Sequence, residues 1–338
     1  MTRRLELSRS AILAFRQGVG SLGERLPRSA RSLRSAAWAG LQDSAPRAAL
    51  LSLHARVEDI DPAAWEDDPL VQLWGPRYSA YVVAASDLGV FSLGRLPEGR
   101  RRHEAEVLAA RLDALLSGAR VSCREAGRAL DINPNQLRYA ATTGRVLLRW
   151  DGARQPIIWT VPPPEVQPRD ARLELARRYL HVFGPSTAEA FSKWAGITAR
   201  ATIATLEALS GELTPTRTPI GDSWILAADE DAFRQSPGPT APARLLPSGD
   251  TYFLLWRDDR RILVTDPERR SALWTPRVWP GAVLVEGEIV GTWRRSQHKV
   301  TIQPWDRLSA QAREAVELEA TSLPLPDLDR RIEVGWVE

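Results

Sequence analysis

Apolar positions in this chain recur at helical spacing through its first two thirds and alternate at strand spacing in its last third. Ser8–Arg16 carries SAILAFR as a first short helix with Ser8 or Ser10 as its cap, and a second helix runs over Ser29–Ala39. Gly40 ends the second helix and leaves Gln42 in the turn before a third, which has Arg47, Leu50 or Leu51, and His54 near one stripe. PRYSAYVVA then reads as a strand in which Arg77, Ser79 and Tyr81 share a face. Glu104–Leu116 is an amphipathic helix. Arg124–Leu130, a turn at 131–133 and Pro134–Thr142 make a helix-turn-helix with Asn133 as cap and Pro134 at the first helical position. Gln136 and Arg138 project from its second helix. Strands at Val146–Trp150 and Ile157–Thr160 follow, joined through the hairpin dipeptide Asp151-Gly152.

A proline-rich segment, 162–170, separates this unit from a third of the same grammar. Its elements are a helix at Ala171–Phe183, capping-box spacing at Ser186–Glu189, a helix at Thr198–Ser210, and a wing-like pair near Leu213–Thr216 and Ser223–Leu226. From Ala241 onward short alternating runs are broken by Pro-Gly, Glu-Gly and Gly-Thr, and a helix lies at Ser309–Ala320. The fold class expected is mainly α with β wings (α+β). Tandem winged helix-turn-helix units over 1–98, 99–161 and 162–235 precede a C-terminal β-rich unit, 236–338, that resembles a small barrel or a strongly twisted sheet.

Length and composition narrow the function classes. A chain of 338 residues is long enough for two to four compact units, and 43% hydrophobic with 26% charged residues is ordinary for a water-soluble protein. The net charge is +3, and the basic side is almost all arginine, since only Lys193 and Lys299 are lysines. Arginine's planar fork suits phosphate oxygens, so the arginines at 100–102, Arg138, Arg294 and Arg295 are candidate phosphate contacts. The single cysteine, Cys123, excludes an intrachain disulfide and a thiolate-rich zinc site, and four scattered histidines do not suggest a metal centre. No metal or cofactor is expected. No secretory pattern is present and no apolar run reaches the roughly 18 residues of a membrane span, which points to the cytoplasm.

The most informative stretch is Ala39–Tyr81. Gln42, Asp43 and Ser44 precede Pro46, Arg47 and a dense apolar run. Asp43 or Ser44 makes a good N-cap with Pro46 in the first turn, a reading that leaves Gln42 and Arg47 unexplained. Gln42-x-Ser44-x-Pro46-Arg47, followed by an apolar helix ending His54-Ala55-Arg56-Val57, resembles the start of the winged-helix DNA glycosylases that unhook interstrand crosslinks, the AlkZ/YcaQ-like family. That family has Gln-x-Gln or Gln-x-Asp here, flanking the hydrolytic water. Further on it has Arg-Gly-Thr-Leu-His, which this chain matches as Arg77-Tyr78-Ser79-Ala80-Tyr81, followed by Asp87. Leu245–Asp250 and Ile289–Trp293 match two C-terminal segments of the family. The chain departs from the pattern at Ser44, Tyr78 and Tyr81.

The resemblance implies a monofunctional glycosylase acting on alkylated purines or crosslinks in double-stranded DNA, with no cofactor and as a monomer. Gln42, Asp43 and Ser44 are its candidate catalytic residues; Arg47, His54, Arg77, Tyr78, Tyr81, Arg138, Arg294 and Arg295 are its candidate DNA contacts. Gln42, Arg47, His54, Arg77 and Tyr81 are expected to converge on one polar pocket. Two other classes fit the same scaffold: a non-catalytic DNA binder, in which Gln42–Ser44 is only a cap, and a protein-interaction scaffold.

Overall fold

The computed structural model describes residues 4–337 apart from 46, 63, 65–68, 151, 153–154, 236–237, 239 and 326–329. Strand β1 (Leu5–Glu6) leads into α1 (Arg9–Val19), which Ser8 caps by accepting from the Ala11 N–H. Ser29 caps α2 (Ala30–Ala36) in the same way. β2 (Leu41–Gln42), α3 (Ala48–His54), β3 (Leu70–Gly75), β4 (Ser79–Ala84) and α4 (Leu88–Leu93) complete the first part. The sheet order is β2-β4-β3.

The strand expected to begin at Pro76 begins at Ser79 instead. Pro76–Tyr78 is a 3-10 turn joining β3 to β4, with Arg77 and Tyr78 both in the left-handed region (φ 55° and 54°). Arg77, Ser79 and Tyr81 therefore do not share the face of one strand. The turn reverses the chain so that Leu73 pairs with Tyr81 and Gly75 with Ser79.

In the second part α5 (Arg100–Leu116) begins four residues earlier than the apolar stripe alone indicates. It takes in Arg100 and Arg102, which pair at i,i+4 with Glu104 and Glu106. β5 (Val121–Ser122) and α6 (Cys123–Leu130) follow, with a reciprocal capping box between Ser122 and Glu125. Asn133 caps the next helix as expected, but Pro134–Thr143 is wound as 3-10 rather than α. β6 (Val146–Arg149) and β7 (Ile157–Thr160) form the hairpin; Asp151 of its turn lies outside the described residues.

The third part contains α7 (Pro168–Phe183), α8 (Ala188–Ala195), α9 (Ala199–Ala208), β8 (Leu213–Thr218), β9 (Gly221–Leu226) and α10 (Glu230–Arg234). Thr187 caps α8 by accepting from the Ala190 N–H. β1 joins this sheet in parallel beside β8, so the start of the chain is tied to residues about 210 positions away. The last part holds β10 (Ala243–Leu246), α11 (Arg260–Leu263), α12 (Pro267–Leu273), β11 (Gly281–Val285), β12 (Glu288–Ser296), β13 (Lys299–Pro304), α13 (Ala310–Thr321) and β14 (Glu333–Trp336). Its five strands form an open sheet in sequence order, with β14 parallel to β13, and not a closed barrel. The fold is mixed α+β throughout. Among the described residues no helix is long and apolar enough to cross a membrane.

The parts converge on α3, all seven of whose residues are buried. Its apolar side joins Leu50 and Leu53 to Leu41, Val57 and Val82, while Leu51 enters the core beneath the C-terminal sheet. Three arginines meet carbonyls at its C-terminal end: Arg25 at His54 O, Arg244 at Ala55 O and Arg56 at Ser52 O. Arg56 also makes a two-pronged bond to Asp250, both contacts 2.7 Å, with the two side chains 2% and 0% exposed. Ser52 Oγ adds a donor at 2.6 Å and the Tyr252 N–H another at 2.9 Å, so the carboxylate is fully bonded. A second buried acid, Asp87, ties α4 to α2 and α7 through Arg34 and Arg178. Burial alone would raise its carboxyl, but the bonds from Arg178 and Arg34 outweigh that and hold it below the usual carboxylate range.

Removing one side of the Arg56–Asp250 pair strands a charge in the core. Arg56→Ala is expected to destabilise the chain by about 3–5 kcal/mol in urea unfolding. Replacing both partners, as Arg56→Met with Asp250→Leu, should be clearly milder; equal losses in the two variants would show that packing, not the stranded carboxylate, sets the cost.

Candidate active site

Gln42 closes β2 and pairs in register with Tyr81 on β4. Its side-chain amide donates to Ser44 Oγ at 2.5 Å, while its amide oxygen is enclosed and accepts no hydrogen bond from any described residue. The segment is closed from above by Gly249, in the loop that carries Asp250. Gly249 has φ +79°, and a Cβ there would stand 3.0 Å from Gln42 Nε2. The α3–Asp250 clamp thus places a side-chain-free backbone against the glutamine.

Neither Asp43 nor Ser44 is the N-cap of α3, a position that Arg47 holds with no side-chain cap bond, yet the Asp43 carboxylate still reaches the start of the helix. It is buried, and its Oδ1 accepts from the Ala49 N–H at 3.0 Å in the first turn of α3. Its Oδ2 accepts from Gln72 Nε2 at 2.7 Å. Gln72 in turn exchanges two bonds with the backbone of Trp150, giving from Nε2 to the carbonyl and accepting at Oε1 from the N–H. Burial pushes the Asp43 carboxyl up to about 6, against the lowering effect of the Ala49 and Gln72 bonds. With both oxygens occupied, Asp43 orients its neighbours and does not present a free carboxylate.

Ser44 is exposed and lines a cavity of about 370 Å³ with Gln72, Trp74, Ser79, Arg138 and Trp150. The Arg138 guanidinium lies over the Trp74 ring at 4.6 Å and gives Nε–H to Asn135 O. The middle helix-turn-helix and the Gln42 segment therefore meet at one opening.

The expected five-residue polar pocket does not form. Arg47 takes the left-handed conformation at the start of α3 (φ 65°). His54 is buried under the C-terminal helix, its Nε2 3.2 Å from Arg25 Nη2 and 3.1 Å from Ser322 Oγ. Burial, then Arg25 and Arg244, hold its imidazole down at about 3. Tyr81 is wholly enclosed, with Gly40 and Gly75 leaving room for its ring, and burial raises its phenol well above the usual value. The expected stripe from Arg47 to His54 does not form, because Arg47 precedes α3 in the left-handed region, and a helix buried on every side has no solvent face.

The remaining candidates are outside the pocket. Arg77 lies over the Trp279 ring at 5.5 Å, and Arg260 approaches the same ring at 5.2 Å. Burial and then Arg77 lower the Arg260 guanidinium to about 10. Tyr78 is 55% exposed and donates from its hydroxyl to Gly196 O at 3.0 Å, bridging to the third part. Arg294 and Arg295 are exposed on β12, and Arg294 donates to Val278 O at 3.2 Å. Gln72, Trp150 and Gly249 are not among the residues that the sequence pattern singles out. A lone amide in the apolar run of β3 was the available signal for Gln72; the role of Trp150 depends on a contact 78 positions away.

Residues 36–324 match the family model described as DNA glycosylase AlkZ-like. By sequence, an interstrand DNA cross-link repair glycosylase from Streptomyces sahachiroi is 26% identical over 158 residues, which is 46% of this chain and 42% of that protein. The chain thus spans less than half the length of that relative in the match. By structure, the DNA glycosylase AlkZ of Streptomyces sahachiroi superposes with a TM-score of 0.77 at 18% identity, over 98% of this chain and 100% of that one.

The two shifted groups oppose each other in stability. His54 stays neutral in the fold down to about 3, so below the ordinary histidine value of about 6.5 only the unfolded chain takes that proton, and stability falls with pH. Asp43 takes its proton in the fold at about 6, above the unfolded value of about 3.9, so its contribution to stability rises as pH falls through that window. His54→Gln removes only the first effect. Its stability relative to wild type should rise by up to about 1.4 kcal/mol for each pH unit between about 6 and 4, read from urea melts. A constant difference across that range would mean that His54 is charged in the fold.

Proposed function

The chain belongs to the AlkZ-like DNA glycosylase family, and from that premise we propose that it hydrolyses the bond between deoxyribose and an alkylated or crosslinked purine in double-stranded DNA. The observation that carries this reading is the enclosed Gln42 amide oxygen, an acceptor held in place and left without a protein donor among the described residues. A buried acceptor of this kind favours a water molecule, and the bond to Ser44 Oγ restrains the amide that carries it.

The chemistry asks little more of the protein. An N7- or N3-alkylated purine carries positive charge and is a good leaving group. The water oxygen bonds to C1′, the glycosidic bond breaks with its electron pair neutralising the base, and one water proton passes to solvent. Gln42 positions the water, and the field around it favours the oxocarbenium-like sugar. Asp43 is a positioning residue: it starts α3 and holds Gln72 at the cavity wall. Ser44 is shorter than the glutamine or aspartate of the family pattern, so turnover on simple alkylpurines is slow.

On this reading the helix-and-hairpin units near 8–98, 103–161 and 170–228 are winged helices and, with the C-terminal sheet, offer a basic surface to the duplex. The chain acts as a monomer in the cytoplasm. Arg77 and Arg260, gathered over Trp279, are the best supported phosphate contacts, since they are adjacent cations packed on one indole. Arg138, Arg294 and Arg295 are the others. The competing reading, DNA binding without chemistry, draws on the serine at 44 and on the burial of Tyr81 where the family pattern has histidine.

Single-turnover release of base from a duplex containing N7-alkylguanine separates the two. Gln42→Ala should lower the rate by about 100-fold, as loss of one positioning group does, without weakening duplex affinity. Ser44→Gln or Ser44→Asp should raise it. Robust release unaffected by Gln42→Ala would put the water elsewhere, and no release from any of the four proteins would favour the non-catalytic binder.

Binding itself should weaken with salt. Each neutralised phosphate adds about −0.9 to the slope of log affinity against log salt concentration, so Arg294→Ala with Arg295→Ala should flatten the slope by up to about 2. An unchanged slope removes those two arginines from the interface.

A further inference from the structure

We propose that Gln72 is a positioning residue for base release, a latch that holds the middle hairpin on the Gln42 segment and closes only on an ionised Asp43. The inference rests on the base-releasing role given above. Gln72 lies within β3 and is 4% exposed, so its amide depends on protein partners. One Nε2 hydrogen goes to Asp43 Oδ2 at 2.7 Å and the other to the Trp150 carbonyl at 3.0 Å, while Oε1 accepts from the Trp150 N–H at 2.5 Å. Because it bonds both backbone groups of one residue, Gln72 holds Trp150 as a neighbouring strand would.

These bonds fix what faces the site. Trp150 follows β6, and β6 packs on the Asn133-capped helix that carries Arg138. Asp43 stands between Gln42 and Ser44, with its own N–H bonded to the Ala80 carbonyl of β4 at 2.8 Å. The latch therefore sets the gap between Ser44 and Arg138, which line the same opening from two units. Widening that gap displaces a duplex held by the middle unit relative to the Gln42 oxygen, and a displacement of about 1 Å is enough to slow a reaction that depends on placing one water. Asp43 occupies the unspecified middle position of the Gln-x-Gln pattern, so the latch is a property of this chain and not of that pattern.

The pattern of donors makes closure depend on charge. Asp43 Oδ1 faces the Ala49 N–H and Oδ2 faces the Gln72 amide hydrogen, so both oxygens are needed as acceptors. A proton on Oδ2 sets two hydrogens against each other. Turning the Gln72 amide over would present Oε1 to that proton. It would also put Oε1 against the Trp150 carbonyl and Nε2–H against the Trp150 N–H, and both hairpin bonds would be lost. A proton on Oδ1 instead displaces the Ala49 N–H and loosens the carboxyl to which Gln72 is anchored. Arg47, at the start of α3, favours the ionised form; β3 presents the neutral Gln72, and β4 the Ala80 carbonyl. Burial outweighs these and brings the carboxyl up to about 6, so the change of charge falls within an accessible pH range.

The test follows two readouts in the full chain between about pH 5 and about pH 8. One is the Trp150 N–H resonance in protein isotope-labelled at tryptophan, identified by its loss in Trp150→Phe. The other is single-turnover base release from a duplex containing N7-methylguanine. In wild type both should move together through about pH 6, the rate falling about tenfold between about pH 7 and about pH 5. Asp43→Asn keeps the shape but cannot ionise and offers one acceptor atom where two are needed; Gln72→Met keeps the length and removes all three bonds. Each should lose the inflection in both readouts and, at about pH 8, release base about ten- to a hundredfold more slowly than wild type. A side chain that only filled space would lower the rate and leave the inflection in place. Asp43→Asn carries the test should Gln72→Met fail to fold, and thermal melts identify that case. A Trp150 N–H that does not titrate, or an inflection unchanged in both variants, overturns the latch. A titrating Trp150 N–H beside a release rate independent of pH overturns the positioning role and leaves the hydrolytic reading standing. Titration that is lost in the variants, in a chain that releases no base at any pH, removes the hydrolytic reading and the positioning role with it, and leaves the latch alone.

Discussion

The buried bond between Arg56 and Asp250 is the constraint on which the rest of the molecule depends. A guanidinium and a carboxylate taken out of water are tolerable only when every donor and acceptor is met, and here Ser52, Thr251 and the Tyr252 N–H complete the set. Such a pair has little freedom to slide. It fixes the end of α3 against a loop nearly 200 positions later in the chain, and everything packed on either side inherits that register.

The candidate active site is one of those inheritances. Because Asp250 is held, Gly249 beside it is held too, and only glycine both takes that left-handed turn and leaves room for the Gln42 amide. Below, Asp43 accepts from the Ala49 N–H of α3 and grips Gln72, which grips Trp150 of the neighbouring hairpin. The Gln42 oxygen is thus positioned by two chains of bonds that leave it without a protein donor of its own among the described residues. A site built in this way resists rearrangement, as the proposed placing of one water requires.

The same constraint explains which sequence signals became structural. In a free winged helix the third helix would be available to a groove. Here the C-terminal sheet and helix cover α3, so its histidine is kept neutral among arginines that serve the helix end. The exposed face that remains beside Gln42 comes from β3 and β4, at Trp74 and Ser79, and from another unit, the Asn133-capped helix with Arg138.

Local interactions were legible because they are written within a few residues. Asn133 acts as the cap that the pattern names and Ser8 as one of the two it offers, and the hairpin at 146–160 and the Glu-Gly turn at 286–287 follow from short-range chemistry. The Gln42 segment, the helix-turn-helix and the family resemblance came from the same scale. What the tertiary structure decided is every property that depends on distant partners. The five C-terminal strands stay open because β14 pairs in parallel beyond β13 instead of returning to β10, a choice that strand alternation does not encode. Tyr81 and His54 are polar groups at apparently exposed positions of short elements, yet residues far along the chain enclose both. Gly249 and Trp150 reach the site for the same reason: their place is set by contacts spanning about 80 to 200 positions, and local periodicity carries no information at that range.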